Sequence, residues 1–339
     1  MSVDIYILAP YHLDVNHNLG RLQRRIPMIQ GKVLVTGATG DTGRATVNEL
    51  LARGHKIRAL AHGQDDRSKR LQEQGVEVVY GDLLDFGQVR AALSGVQRAY
   101  FVYPIRPGIL QATAYFAQAA KEAGVDGIVN MSQKSAREDA KSHAATDHWL
   151  AERVFDWSGV TVAHIRPTYF AEWLIYVAPM IKAGLLHVPF GTGKHAPITA
   201  EDQGRVIAGI LEDPAKHKGA IYPLFGPVEY TYAEIAQVLS RVLGKRVEYK
   251  QIGFDDFLGL LKTNRRNPAE GASSRNLYGE LGGKSDRPGD SFIVQHLKEV
   301  AIDHQNGVFE GTNDLVEKLG GRPPMTLEAF IEKHRAAFV

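Results

Sequence analysis

Lys32-Val33-Leu34-Val35-Thr36-Gly37-Ala38-Thr39-Gly40-Asp41-Thr42-Gly43-Arg44 constrains this chain more than any other stretch. A β-branched and aliphatic run ends in three glycines spaced three apart, and a helix-forming segment follows to Arg53. That order is what a dinucleotide phosphate site requires. Gly37 turns the chain sharply off a strand, Gly40 lets backbone N–H groups approach a pyrophosphate, and Gly43 lets helix and strand pack closely. Unpaired N–H groups and the dipole at the helix start favour anionic phosphates there. The other reading is a glycine-rich structural turn, and the strand before and the helix after weigh against it.

Downstream, strand-like and helix-like segments alternate. Strands are expected over Lys56–Ala61, Val76–Tyr80, Arg98–Tyr103, Gly127–Ser132 and Val160–Arg166. Helices are expected over Ser68–Gln74, from an Asp85 cap to Leu93, over Gln111–Glu122 with Gly124 as the stop, and over His143–Trp157. This is the pattern of an α/β fold, a doubly wound parallel sheet with helices on both faces. Ligands in such sheets lie at the carboxyl ends of the strands, near the switch point. Gly37 to Gly43, His62, Asp82, Tyr103-Pro104 and Ser132-Gln133 are therefore expected to converge on one crevice.

From about Tyr169 helices and short strands mix, including strands at Ile221–Leu224 and Val247–Gln251. Thr231 and Glu234 have capping-box spacing for a helix that Gly244 stops. The expected organisation is an N-terminal extension (1–30), a nucleotide-binding domain (31–168) and a smaller mixed α/β C-terminal lobe (169–339). Some elements of that lobe return to the first domain. Residues 264–290, rich in Gly, Pro, Ser, Asn and Arg, are expected to be disordered or a mobile loop over the crevice.

A chain of 339 residues can bury a large core. It has no cysteine, which excludes disulfides, thiolate metal sites and cysteine nucleophiles. His12, Asp14 and His17 lack a supporting cluster, so no metal is expected. A net charge of +2 gives no basis for a nucleic-acid or acidic-membrane partner, and Arg21, Arg24 and Arg25 alone do not supply one. No apolar run is long enough to span a bilayer. Ile5 to Ala9 is too short for a signal sequence and precedes the basic cluster, so a cytoplasmic protein is expected, either monomer or homodimer.

Several segments read together. Val35 to Gly43, Ile57-Arg58-Ala59-Leu60, Gly81-Asp82-Leu83-Leu84-Asp85, Ile165-Arg166-Pro167-Thr168-Tyr169-Phe170, Glu201-Asp202 and Tyr222-Pro223-Leu224-Phe225-Gly226-Pro227 follow in that order. In combination they resemble the NmrA-like branch of the short-chain dehydrogenases/reductases, from about Lys32 to Phe338. The resemblance implies a Rossmann domain and a bound NADP(H). It breaks at the catalytic pair. Typical members carry Tyr-x-x-x-Lys, whose lysine lowers the tyrosine pKa, whereas here Ala144 and His148 hold those positions. Carbonyl reduction through a tyrosinate is not expected. The spacing of His148 and Glu152 is similar to that in bacterial NmrA-like quinone and triphenylmethane-dye reductases, in which hydride passes from NADPH to an electron-poor acceptor.

The second strand ends in Ala61-His62-Gly63-Gln64, without the acidic residue that an NAD ribose prefers. Arg58 lies upstream and Arg44 just past the glycines, and a 2′-phosphate suits Arg44 and His62. Asp65 and Asp66 stand close behind and could reach a ribose or repel a phosphate. NADP is expected, with NAD possible. The expected cofactor contacts are Gly37, Thr39, Gly40, Asp41, Thr42, Gly43, Arg44 and His62. The resemblance adds Asp82 and Leu83 beside adenine, Tyr103 and Pro104 along the nicotinamide half, and Ser132 as a hydroxyl on the substrate side.

His148 has two readings. It lines the nicotinamide ribose or protonates a reduced quinone oxygen, its ordinary pKa being near neutrality; or it only bridges the helix surface. Glu152, one turn on, either orients His148 or forms a plain salt bridge. Tyr169, Phe170 and Trp173 are expected to line the acceptor pocket, where flat rings stack on a flat substrate. Two functions follow. One is an NAD(P)H-dependent reductase of quinones, dyes or other electron-poor aromatics. The other is a non-catalytic NADP(H) sensor acting through a regulatory protein partner. An open apolar pocket beside the nicotinamide favours the first, and a filled pocket with a large exposed apolar patch favours the second.

Overall fold

The computed structural model describes residues 29–264 and 292–339. The N-terminal extension and the segment expected to cover the crevice fall almost wholly outside that range, as do His12, Asp14 and His17. Six strands lead the fold: β1 (Lys32–Thr36), β2 (Lys56–Ala61), β3 (Glu77–Tyr80), β4 (Val96–Phe101), β5 (Gly127–Met131) and β6 (Val162–Pro167). They alternate with helices α1 (Asp41–Ala52), α2 (Asp66–Glu73), α3 (Phe86–Leu93), α4 (Ile109–Glu122) and α5 (His143–Ser158). Beyond Pro167 come α6 (Trp173–Tyr176), α7 (Ala178–Lys182), β7 (Leu185–Val188), α8 (Ala200–Glu212) and β8 (Ile221–Leu224). The remainder is α9 (Tyr232–Leu243), β9 (Glu248–Gln251), α10 (Phe254–Asn264), α11 (Phe292–Gln305), α12 (Leu315–Gly320), α13 (Leu327–Lys333) and α14 (Arg335–Phe338).

Seven strands form one sheet in the order β3-β2-β1-β4-β5-β6-β8, and every pair is parallel. The cause is visible in β1, where Val33, Leu34, Val35 and Thr36 are all fully buried. A strand covered on both faces reads as a continuous apolar run. Val33 and Val35 pack into the core beneath α1, α8 and α12, and Leu34 into the opposite core beneath α3, α4 and α5. Alternate residues point to opposite faces, so one strand feeds both layers. The chain winds one way from β1 to β3 and the other way from β4 onward. The switch point therefore lies between the carboxyl ends of β1 and β4, where a crevice opens.

After β6 the chain departs and returns. Helix α8 packs on α1, and β8 pairs with β6, which extends the sheet. The intervening and following elements build a separate apolar cluster around Tyr169, Ile181, Phe190, Leu239 and Phe330, with β7 and β9 as a two-stranded parallel sheet. The expected capping box forms, Thr231 and Glu234 each bonding the other's backbone, and Gly244 ends α9 with φ +70°. Differences from the expected elements are local. Helix α2 starts at Asp66 rather than Ser68, because Asp65 and Ser68 form a capping box of their own. Strand β4 ends at Phe101, leaving Tyr103 in the loop over the crevice.

Candidate functional site

A crevice of about 750 Å³ runs across the carboxyl ends of β1, β2, β4 and β5 and under α6 and α11. Its floor begins at the glycine loop. Gly37 has φ +55°, and a Cβ there would lie 2.6 Å from Val102 Cγ1. A Cβ on Gly43 would lie 2.1 Å from the Gly37 carbonyl oxygen, so helix α1 approaches the turn as only glycine allows. Gly40 is the N-cap of α1 and brings no side-chain cap. Helix N-termini leave N–H groups without intrahelical partners, and this one opens onto the crevice through Gly40, Asp41 and Thr42. The Thr42 hydroxyl is bonded inward to the buried Tyr100 hydroxyl at 2.9 Å, which fixes the first turn. The lack of a Cβ and the lack of a cap together fit a pyrophosphate.

Around the crevice the structure brings together Gly37, Thr39, Gly40, Asp41, Thr42, His62, Asp82, Leu83, Tyr103, Pro104, Ser132, His148, Tyr169, Phe170 and Trp173. Gly43 and Arg44 do not line it. Gly43 is the contact point with the turn, and Arg44 is half-exposed with its guanidinium 3.5 Å from Asp41. Arg58 is equally committed elsewhere. It bonds Glu77 at 3.0 Å and the carbonyls of Ala92 and Ser94, buried under the sheet. At the β2 end the wall is His62, Gly63, Gln64, Asp65 and Arg67. Asp65 caps α2 through Arg67 N and Ser68 N and also accepts the Arg67 guanidinium, which holds its carboxyl below the usual range. An acidic group is thus present behind β2, but it is engaged. Asp82 folds an Asx turn onto Leu84 N and lies 4.0 Å from the exposed His62 ring.

The other end of the crevice is apolar and aromatic. Tyr103 is buried, its hydroxyl on the Pro107 carbonyl and its face under Arg106. Tyr169 packs edge-on against Phe190 and Phe309, and its hydroxyl donates to Val300 O on the α11 wall. Trp173 stands edge-on to Tyr176, and the Tyr176 hydroxyl donates to Asp41, tying α6 to the first turn of α1. Ser132 Oγ and His148 Nδ1 are both buried without a hydrogen-bond partner among the described residues.

The near-neutral pKa expected of His148 does not hold. Burial pushes it down to about 3, with the neighbouring His296 adding to the effect, so the ring is neutral at working pH. It is therefore not an imidazolium donor. Glu152 does not orient it either: that carboxylate is fully buried and takes the Arg166 guanidinium on both oxygens. Sequence reading missed the α11 wall. Ile293, His296, Leu297 and Val300 line the crevice at i, i+3, i+4 and i+7, one helical face. That apolar stripe was the available signal. Among the described residues, no group of three or more His, Asp and Glu side chains is placed to hold a metal. No described helix is long and apolar enough to cross a membrane.

A parallel sheet in this order, with an uncapped helix facing a glycine turn at the switch point, defines a Rossmann-type α/β protein. More narrowly, residues 30–303 match the model of the NmrA-like family, and the chain belongs to it. It is 29% identical over 309 residues to an NAD(P)H azoreductase of Xenophilus azovorans, spanning 90% of this chain and 99% of that protein. Among solved structures it resembles an NADPH-dependent quinone oxidoreductase of Escherichia coli complexed with NADPH, with TM-score 0.72, 24% identity, and 90% and 99% of the two chains covered. A triphenylmethane reductase of Citrobacter sp. complexed with NADP(H) superposes with TM-score 0.71 and 21% identity, covering 89% of this chain and 99% of that one.

Proposed function

We propose that this protein is an NAD(P)H-dependent reductase that passes hydride to a quinone, a dye or another electron-poor aromatic acceptor. One observation carries the reading: the glycine turn opens directly into an aromatic-walled cavity, and both belong to one crevice. The full-length likeness to an NAD(P)H azoreductase supports it. The glycine turn and the first turn of α1 would hold the pyrophosphate, and Asp82 and Leu83 would flank the adenine. His62 and Arg67 would lie toward a 2′-phosphate, which is why NADP is favoured over NAD. Bound there, the reduced cofactor supplies a hydride. The protein's part is to hold the ring against the acceptor and exclude water, which Tyr103, Phe170 and Trp173 are placed to do. An electron-poor acceptor needs little acid assistance, consistent with a neutral His148 and the absence of a Tyr-x-x-x-Lys pair.

The sensor reading has the open pocket against it. Large exposed apolar side chains among the described residues include Trp157, Val228 and Ile302, which lie on different elements, α5, the β8–α9 loop and α11. The test is NADPH oxidation by the purified protein against a panel of quinones, azo dyes and triphenylmethane dyes. The expected result is acceptor-dependent loss of reduced cofactor, with His148→Ala lowering turnover and leaving NADPH affinity nearly unchanged. Tight NADPH binding with no turnover of any acceptor would favour the sensor.

A further inference from the structure

His296 is the one polar side chain on the crevice face of α11 and comes from a part of the chain remote from the nucleotide motifs. It is 8% exposed, and its Nδ1 lies 2.7 Å from Ser142 Oγ. Ser142 is fully buried and is the N-cap of α5, accepting the Ala145 N–H at 3.2 Å. A serine hydroxyl has one proton to give and two lone pairs to receive. The cap occupies a lone pair, and among the described residues the acceptor bonded to the buried proton is Nδ1 of His296. If Nδ1 carried the proton instead, the Ser142 O–H would be buried without an acceptor, a cost of about 1–3 kcal/mol. The hydrogen-bond count therefore puts the ring proton on Nε2, the nitrogen left to face the cavity.

Two further polar groups share this floor. Ser132, at the end of β5, and His148, on α5, line the crevice too, as do the apolar Met131, Ile293 and Leu297. Ser132 Oγ and His148 Nδ1 are themselves covered and have no hydrogen-bond partner among the described residues. Helix α11 is fixed in this position from both sides. Gln295 bridges to His143 N and Lys141 O at the start of α5, and Asp303 takes Arg137 in a bidentate pair from the loop after β5.

We infer that His296, held in its Nε2–H tautomer by Ser142, is a hydrogen-bond donor to the accepting oxygen or nitrogen of the substrate. The inference rests on the reductase reading and adds the substrate-side recognition to it. Hydride addition breaks a C–H bond of the reduced nicotinamide, forms a bond from that hydrogen to the acceptor, and leaves one negative charge on the acceptor. A neutral N–H directed at that atom stabilises the developing charge, and a solvent proton then neutralises the product. Neither imidazole has to ionise. Burial holds both neutral, His296 down at about 4 and His148 at about 3. The preferred substrate is accordingly an uncharged planar molecule with a strong acceptor atom at its inner end, such as a quinone carbonyl or an azo nitrogen.

Three variants test this with 2-methyl-1,4-naphthoquinone as the probe, read by kinetics, by ligand binding and by ¹⁵N spectra. His296→Leu removes the donor and keeps the volume roughly; His296→Gln restores an N–H near the Nε2 position; Ser142→Gly removes the lock on the tautomer but remains a usable cap. In His296→Leu, kcat/KM for the quinone is expected to fall about 10- to 100-fold, with unchanged NADPH affinity and a weaker quinone Kd in NADP+-loaded protein. His296→Gln is expected to recover most of both. ¹⁵N spectra of histidine-labelled protein should show His296 as the Nε2–H tautomer, with Ser142→Gly giving a mixture. Unchanged quinone binding and kcat/KM in His296→Leu, or an Nδ1–H tautomer in the native protein, would overturn the inference and leave the reductase standing. A native protein that neither binds nor reduces the quinone or any other acceptor of the panel would instead remove the reductase reading itself, and this inference with it.

Discussion

At the scale of single residues, burial decides which groups can carry charge. Glu172 accepts the Ala200 N–H at 2.9 Å on one oxygen, while the other is sequestered without a hydrogen-bond partner among the described residues. Burial raises its pKa to about 7, with the carboxylates of Asp41 and Glu201 adding repulsion. The unfolded chain releases this proton near 4.5, so between there and about 7 the folded state binds more protons, and stability falls as pH rises. Glu172→Gln keeps the bond to Ala200 and removes the ionisation. It is expected to stabilise the protein at pH 8 by about 1–2 kcal/mol and to be neutral near pH 4. Thermal melts at the two pH values check this; equal effects at both would show that Glu172 does not titrate in the fold. Residue-level roles were the least legible part of the sequence. Arg44 reads as a phosphate ligand until its guanidinium is seen beside Asp41, off the crevice. His296 could not be found, because its partner Ser142 lies 154 positions away.

At the scale of elements, legibility was much better, because caps and glycines act locally. The expected boundaries of β2 and β8 coincide with those observed, and the Asp85 cap and the Thr231–Glu234 box form as the spacing implies. The β1 turn makes the sharpest prediction. Gly43→Ala places a methyl group against the Gly37 carbonyl, so it is expected to cost about 1–3 kcal/mol of stability and to weaken NADPH binding at least tenfold. Denaturant melts and a cofactor titration measure both, and wild-type values would show that the turn can accommodate a methyl group. The α11 wall makes a second prediction. Asp303 is buried and paired with Arg137 at 2.8 Å on each oxygen. Asp303→Ala should loosen α11 and raise KM for the acceptor several-fold with no change in NADPH Kd. Equal losses for both ligands would mean that the helix supports the whole crevice rather than its acceptor end.

At the scale of the molecule, the histidines set the acid limit. His148, His296 and His304 are pushed down to about 3, 4 and 4, and His195 well below its ordinary value, chiefly by burial. His195 and His304 share one buried hydrogen bond of 2.9 Å beside Tyr169 and Tyr232, where a second proton has no place. In the unfolded chain each would ionise near 6.5, so below that pH the unfolded state binds more protons. The histidines' contribution to stability is therefore full above about pH 6.5 and is lost toward pH 4, by about 1.4 kcal/mol per pH unit for each histidine. Urea midpoints across pH 4 to 7 should fall steeply with acidification; a flat profile would mean that these rings are protonated in the fold. The doubly wound sheet itself was readable because each strand and helix carries its own local signal. The return of α8 and β8 to that sheet was readable only in outline.

The central claim is that a pyridine dinucleotide lies across the β1 turn with its phosphates on the first turn of α1. Calorimetric titration of the purified protein with NADPH and with NADH tests it most directly. The account predicts one site per chain, tighter for NADPH, and weakened at least tenfold in Gly43→Ala; saturation by neither nucleotide would contradict it.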